Sequence, residues 1–262
     1  MERHEYDTLF ANEDQHWWFV GTRQVILRVA DIALSQIETE REIGCSPFPK
    51  VGLPKLLDVG CGTGATLAGF ESRNVDRFGI EPEAAAVEFC HRRGLTGVTQ
   101  GCAESLPFSD GLFDLVMALD VLEHLDDDRA GLAEITRVIR PGGFVLLTVP
   151  AHPFLWSEHD VALHHKRRYT YSTFAELIAG QPLRQVVFSY YNCVLFPVVA
   201  AVRLVRRFFA AAKPTSGLTS DVVMPHLYVN RLLTEVVASE RYVLPHVRLP
   251  VGVSLITLCQ KI

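Results

Sequence analysis

The chain has 262 residues, of which 48% are hydrophobic and 21% charged, and its net charge is −5. That length supports one large domain or two small ones around a substantial core. The mild acidity argues against a broad nucleic-acid-binding surface, which needs a large basic footprint. Six cysteines, Cys45, Cys61, Cys90, Cys102, Cys193 and Cys259, are scattered without a CxxC pair, as expected of reduced thiols in a cytoplasmic protein. The opening "MERHEYDTLF" carries charge where a signal peptide has its apolar region, so export is not expected.

In chain order, residues 16–42 place Ile26, Val29, Ala33 and Ile37 at spacings of three and four, which predicts a helix. "GCSPFPKVGLP" (44–54) interrupts regular structure with three prolines and two glycines. Strand and helix signals then alternate. "KLLDV" (55–59) is a predicted strand, followed by a glycine-rich turn and a helix to about Glu71. "RFGIE" (77–81) is a second strand, with a helix over 83–92, and "GVTQG" (97–101) is a short third. "FDLVMAL" (113–119) is a fourth, followed by a helix over 128–140, a "PGG" stop (141–143) and a fifth strand, "FVLLTVP" (144–150). "VVFSYY" (186–191) and "VSLITLCQ" (253–260) are late strands. The interval between them, about sixty residues, is too long for a plain connection. It predicts a helical insert with helices over 193–212 and 225–239. Such alternation implies a parallel sheet covered on both faces, with ligands at the carboxyl ends of the strands.

The stretch "CVLFPVVAAVRLVRRFFAAA" (193–212) is about long enough to span a bilayer. Arg203, Arg206 and Arg207 lie inside it, and arginines at such depth are costly. The reading is a buried or interfacial helix with a basic stripe, for which peripheral membrane contact is an option.

"LLDVGCGTGATL" carries the clearest chemistry: a buried strand runs into Gly60, Gly62 and Gly64 and then a helix. Glycines permit the tight turn and let a ligand approach the backbone. Alone this is weak, because dinucleotide enzymes use a similar device. It is followed by Glu81 at the end of the second strand, "GCAESLPF" (101–108), "FDLVMALDVLEHL" (113–125) and "RVIRPGGFVLLTVP" (137–150). Over Lys55 to Pro150 this series resembles the class I S-adenosylmethionine (SAM)-dependent methyltransferases, and a nicotinamide dehydrogenase lacks it.

The resemblance implies SAM as cofactor. Gly60, Gly62 and Gly64 would line its methionine and ribose part, Asp58 would fix the turn or reach the amino group, and Glu81 would hold the ribose. Ala103 would meet adenine through its backbone; the residue before it, often aspartate in the family, is here Cys102. Cys61, Pro82, Glu104 and Leu119 complete the expected cofactor set. The implied fold is α/β: a doubly wound, Rossmann-like seven-stranded sheet, parallel with one antiparallel strand. Residues 1–54 would be an N-terminal helical lid, 55–192 and 251–262 the cofactor-binding domain, and 193–250 a helical insert capping the acceptor.

The acceptor end is read from residues beyond the fourth and fifth strands. Asp120, Glu123 and His124 form a D-x-x-E-H set; similar E-x-x-E-H sets in some family members bind a divalent cation, whereas many members carry "LEH" without metal. "HDVALHHKRRYT" (159–170) follows the fifth strand. In one reading His159 or His164, or His124 before them, serves as a base, and Arg167 and Arg168 neutralise an acceptor carboxylate or phosphate. In the other, an arginine pairs with Asp160 and Thr170 or Ser172 starts the next helix. His165 and Lys166 are expected in solvent. His16, Trp17, Trp18, His152 and Trp156, with Asp160, complete the candidate acceptor contacts.

The tryptophan pair with the late "H…HxRRY" segment is similar to a bacterial subgroup acting in saccharide, lipid or natural-product pathways. The expected function is therefore methyl transfer to a small polar acceptor, with oxygen favoured by the number of candidate bases. Transfer to nitrogen or carbon, an RNA or protein methyltransferase gripping through its arginines, and a membrane-docked cofactor-binding scaffold are the alternatives.

Overall fold

The computed structural model describes residues 3–43, 52–209 and 224–262. Most of the proline-rich break, with Cys45, and residues 210–212 lie outside the described residues, as do the side chains of Arg206 and Arg207.

Strands β1 (Lys55–Val59), β2 (Asp76–Glu81), β3 (Val98–Gln100), β4 (Phe113–Leu119), β5 (Ile139–Pro150), β6 (Leu183–Tyr191) and β7 (Ser254–Lys261) form one sheet of order β3-β2-β1-β4-β5-β7-β6. Neighbours among β1 to β5 pair in parallel, and β7 runs antiparallel to both β5 and β6. This is the expected doubly wound, Rossmann-like sheet with one reversed strand. Strand order turns back between β1 and β4, which opens a crevice at their carboxyl ends.

Side chains alternate across a strand, so strands buried on both faces read as continuous apolar runs. Leu115 and Met117 of β4 and Phe144 and Leu146 of β5 pack towards helix α2 (Trp17–Ile43), whose Val25, Val29, Ala33 and Ile37 share that cluster. Val116, Ala118, Val145 and Leu147 pack on the other face with Leu132 and Ile135 of α5 (Asp128–Val138) and Phe174 and Leu177 of α7 (Tyr171–Ala179).

Several element bounds differ from expectation: β6 starts at Leu183 rather than Val186, and the first helix of the insert at Phe196 rather than Cys193. The helix after β1, expected to run to Glu71, is the short α3 (Ala65–Ala68), because Gly69 closes it with N–H donation back to Ala65 and Thr66 carbonyls. Strand β5 starts at Ile139 rather than Phe144. Pro141 and two glycines stop α5, but the chain is already paired with β4, and the interruption is absorbed as a register shift between Phe113 and Leu115.

Helix α1 (Arg3–Asn12) lies near α4 (Ala84–Arg92), where Phe10 stacks on Phe89 at 4.6 Å. A short α6 (Glu158–Ala162) follows β5. Helices α8 (Phe196–Phe209) and α9 (Leu227–Ala238) form the insert. Helix α9 clasps α2: Asn230 accepts the Trp17 N–H at 2.9 Å and donates to the Gln15 carbonyl at 2.7 Å. Among the described residues no helix is long and apolar enough to cross a membrane.

Candidate active site

Three left-handed glycines shape the turn after β1, with φ of 72° at Gly60, 54° at Gly62 and 84° at Gly64. The Gly60 and Cys61 N–H groups donate to the Ile80 carbonyl at 2.7 and 3.1 Å, which ties the turn to β2. A Cβ at Gly64 would lie 2.6 Å from Leu95 and 2.9 Å from the Cys90 sulfur, whereas one at Gly62 would meet nothing within 4 Å. Gly64 is thus needed for packing as well as conformation, and Gly62 leaves open space above the backbone.

Asp58 is buried on β1 with one carboxylate oxygen unpartnered. Burial, and then the nearby Glu81 charge, push its carboxyl up to about 8. An unmet buried acceptor is costly, so a ligand that brings N–H donors or positive charge fits here. Glu81 accepts from the Gly62 N–H at 2.9 Å and from the Tyr6 hydroxyl at 3.4 Å. Burial raises its pKa, against the pull of the Gly62 and Glu83 N–H groups and Tyr6.

The other cofactor candidates are placed as follows. The Cys61 side chain turns into the packing, with its sulfur 3.9 Å from that of Cys90. Ala103 is buried between exposed Cys102 and Glu104, where Cys102 bridges to Ser105. The Pro82 carbonyl accepts from Gln100 at 2.8 Å, and Leu119 is half-buried.

The N-terminal segment lies over this turn through groups that sequence reasoning did not single out. Thr63 donates its hydroxyl to Glu13, and Arg93 reaches Glu13 at 2.7 Å, Asp14 at 2.8 Å and the Thr63 carbonyl at 3.0 Å. Burial raises the pKa of Glu13, while Thr63 and Arg93 pull it down. These partners are dozens of residues apart and carry no local pattern. His16 is buried and accepts the Trp18 N–H at 3.3 Å; Trp17 and Trp18 are half-buried and meet edge to face at 5.7 Å.

Beyond β4 the chain turns sharply at Asp120, with φ of 54°. Its carboxylate accepts from the Thr148 hydroxyl at 3.2 Å. A single 3-10 turn, Leu122–His124, then drives Glu123 inward, where it is fully buried and neither carboxylate oxygen has a hydrogen-bond partner. Burial, and then Asp120, push its pKa well above the ordinary range. The His124 ring meets the His165 ring edge to face at 4.8 Å, and partial burial followed by that neighbour lowers its pKa to about 4. His124 is therefore a neutral imidazole at pH 7.

The segment after β5 is organised around Asp160. Ser157 and Asp160 form a capping box at the start of α6, with the Ser157 N–H donating to Asp160 at 2.8 Å. The carboxylate is fully buried and accepts from Arg168 Nε at 2.6 Å and His165 Nδ1 at 3.1 Å. Burial opposes its ionisation, but hydrogen bonds from His165 and Arg168 hold its pKa well below the carboxylate range. His165, expected in solvent, has a side chain only 8% exposed because Asp160 draws it inward. Lys166, also expected in solvent, keeps partial exposure and pairs with Asp126.

Arg168 also donates from Nη1 to the Ala151 carbonyl at 2.9 Å. Arg167 caps the Leu125 and Asp126 carbonyls at 2.9 and 2.8 Å and pairs with Asp128 at 2.9 Å. Thr170 caps α7. The arginines are thus bonded within the protein, in the arrangement of the second sequence reading.

His159, His164 and Trp156 are exposed. Partial burial, and then Arg203, lower the pKa of His159. His152, at φ of 60°, stacks on Tyr190 at 5.1 Å beside Phe154 and Phe196, and its Nε2 is buried without a partner. Arg203 of α8 reaches down to the Leu155 carbonyl and lies 3.6 Å from Asp160, so the insert covers this side of the site. A cleft of about 310 Å³ between Asp128, Arg167, Tyr169 and Glu176 is lined by none of the glycine-turn residues.

Residues 57–147 match the family model described as "Methyltransferase domain". A demethylmenaquinone methyltransferase of Chlorobaculum parvum is 30% identical over 145 residues, covering 53% of this chain and 51% of that protein. An O-methyltransferase of Aspergillus nomiae is 32% identical over 134 residues, covering 48% and 57%. The chain spans about half the length of these curated relatives. A SAM-dependent methyltransferase of Thermotoga maritima shares the fold, with a TM-score of 0.56 at 16% identity over 99% of this chain and 96% of that one. Residues 57–147 thus match a methyltransferase domain in sequence, and the sheet as a whole shares its fold with that solved structure.

Proposed function

We propose that the protein transfers a methyl group from SAM to a small polar acceptor, with oxygen favoured as the methylated atom. The observation that carries this reading is the donor seat: a buried Asp58 with one oxygen unpartnered, beside three left-handed glycines and Glu81, inside a segment that matches the methyltransferase domain. The bound donor supplies an electrophilic methyl on a sulfonium. Asp58 receives the amino group of its methionine moiety, Glu81 the ribose hydroxyls, and the backbone around Ala103 the adenine.

The chain's remaining task is to align an acceptor and exclude water, which can account for several kcal/mol of barrier lowering. His152 with Tyr190, Phe154 and Phe196 forms an aromatic wall for that acceptor, and Trp17, Trp18 and Trp156 supply further apolar contact. His159 and His164 are the candidate proton acceptors for a hydroxyl, with His124 a third only where its ring nitrogen holds no cation, and a base of this kind contributes about two to four decades in rate. Arg167, Arg168 and Asp160 position the loop that carries these histidines. An acceptor from natural-product or saccharide chemistry fits the polar-aromatic lining, and a likeness to an O-methyltransferase supports oxygen.

A labelled-methyl screen of hydroxyl, amine and carbon acceptors tests the reading. Label in a hydroxyl compound supports it, and label confined to amines or activated carbon assigns a different atom. Label found in RNA or protein instead would replace the small-molecule reading altogether.

A further inference from the structure

Glu123 and His124 from the turn after β4, and His165 from the loop before α7, each offer a ligand atom, and these atoms lie within 4.8 Å of one another. The three come from segments about forty residues apart in sequence. Glu123 is fully buried, and both its oxygens lack a hydrogen-bond partner. A buried carboxylate without a partner is costly, and what faces it here is two more electron-pair donors.

His165 gives its Nδ1 to Asp160 at 3.1 Å, which leaves Nε2 for a ligand. Asp160 is in turn locked by Arg168 at 2.6 Å and by Ser157. An imidazole held by a carboxylate on its far nitrogen is the usual support for a metal-bound histidine. Asp120, the expected third member of the D-x-x-E-H set, is not in this group and bonds to Thr148 instead.

We infer that Glu123, His124 and His165 bind one divalent transition-metal ion, with Asp160 orienting His165. Two imidazoles and one carboxylate suit zinc, manganese or iron(II) better than magnesium, which prefers oxygen ligands. The cation would lie at the carboxyl end of β4, where the methyltransferase reading places the acceptor, so its natural fourth ligand is an acceptor hydroxyl or carboxylate. The binding itself does not depend on that reading.

The test is a titration of metal-stripped, full-length protein with Co²⁺, read by its d–d absorption and by calorimetry, with no methyl donor present. Saturable uptake of one ion per chain is expected, weakened at least tenfold in Glu123→Gln and in His165→Ala. Binding of S-adenosylhomocysteine, measured separately, checks that each variant is folded. His124→Ala, on the more exposed turn, gives a third variant with the same expected loss. Wild-type protein that takes up no Co²⁺, or uptake undisturbed in all three variants, overturns the site. Uptake of Co²⁺ by a protein that binds no methyl donor would leave the metal site standing and overturn only the methyltransferase reading.

Discussion

Asp58 shows how one residue links folding to ligand binding. Its carboxyl titrates at about 8 because burial, reinforced by Glu81, disfavours the charge. The folded state therefore holds a proton that the unfolded chain releases near pH 3.9. The associated stability is full below that value and is lost as pH rises through about 8. If the ionised carboxylate receives the donor's ammonium, donor affinity moves the opposite way and climbs towards pH 8. Above that the ammonium, with an ordinary pKa of about 7.7–8.0, loses its own charge. A bell-shaped affinity profile with a maximum near pH 8 is expected for S-adenosylhomocysteine, and a flatter, weaker one for Asp58→Asn. Identical profiles in the two proteins would remove Asp58 from the donor seat.

Asp160 works in the other direction. It is fully buried against Arg168 and His165, and removing one member of such a pair strands the other charge at a cost of about 3–5 kcal/mol. Asp160→Ala should lower stability by that order in urea denaturation. Because its folded pKa is depressed, its contribution is present above the ordinary carboxylate range and lost as pH falls below it. The wild type should lose stability in acid, and the variant should lose less. The inward turn of His165 was not legible in the sequence. A histidine in a run of cations reads as solvated, and only the Ser157 capping box, which points Asp160 inward, reverses that. Arg168, by contrast, stood in one of the two sequence readings because an arginine eight residues from an aspartate near a helix start invites pairing.

Among the elements, strand–helix alternation was legible because buried parallel strands are continuous apolar runs while the covering helices keep their three-to-four spacing. Strand β7 was visible as a strand, but its place between β5 and β6 has no local signature; the family resemblance implied only that one of seven strands runs antiparallel. The docking of α9 on α2 was equally invisible, since it rests on a glycine and an asparagine more than 200 residues apart in sequence. An added Cβ at Gly21 would lie 2.8 Å from Val237 and 3.1 Å from the Thr234 carbonyl. Overpacking of this kind costs about 1–3 kcal/mol. Gly21→Ala should lower the melting temperature and speed amide exchange in α9 more than in β1, and uniform exchange would show that the clasp is not a local unit.

At the scale of the whole molecule, the same end of the sheet gathers the glycine turn, the N-terminal segment held by Tyr6 and Glu13, and the histidine loops under the insert. The insert's outer surface carries exposed Val198, Val202 and Val205 on α8 and Leu227, Tyr228 and Leu232 on α9. This apolar surface is where peripheral contact with a bilayer would be made. Sedimentation with anionic vesicles should carry the protein down, and Val198→Ser with Val202→Ser should release it. Protein that stays in the supernatant in both forms would remove the membrane from the account.

The most direct test of the methyl-donor seat is calorimetric titration of the protein with SAM and S-adenosylhomocysteine, alongside Gly64→Val. At φ of 84°, with Leu95 and Cys90 already in contact range of a Cβ, valine cannot occupy position 64 without reshaping the turn. One saturable site per chain in the wild type, lost in Gly64→Val while the melting transition remains cooperative, is the predicted result. No binding by the wild type, or equal binding by both proteins, would contradict it.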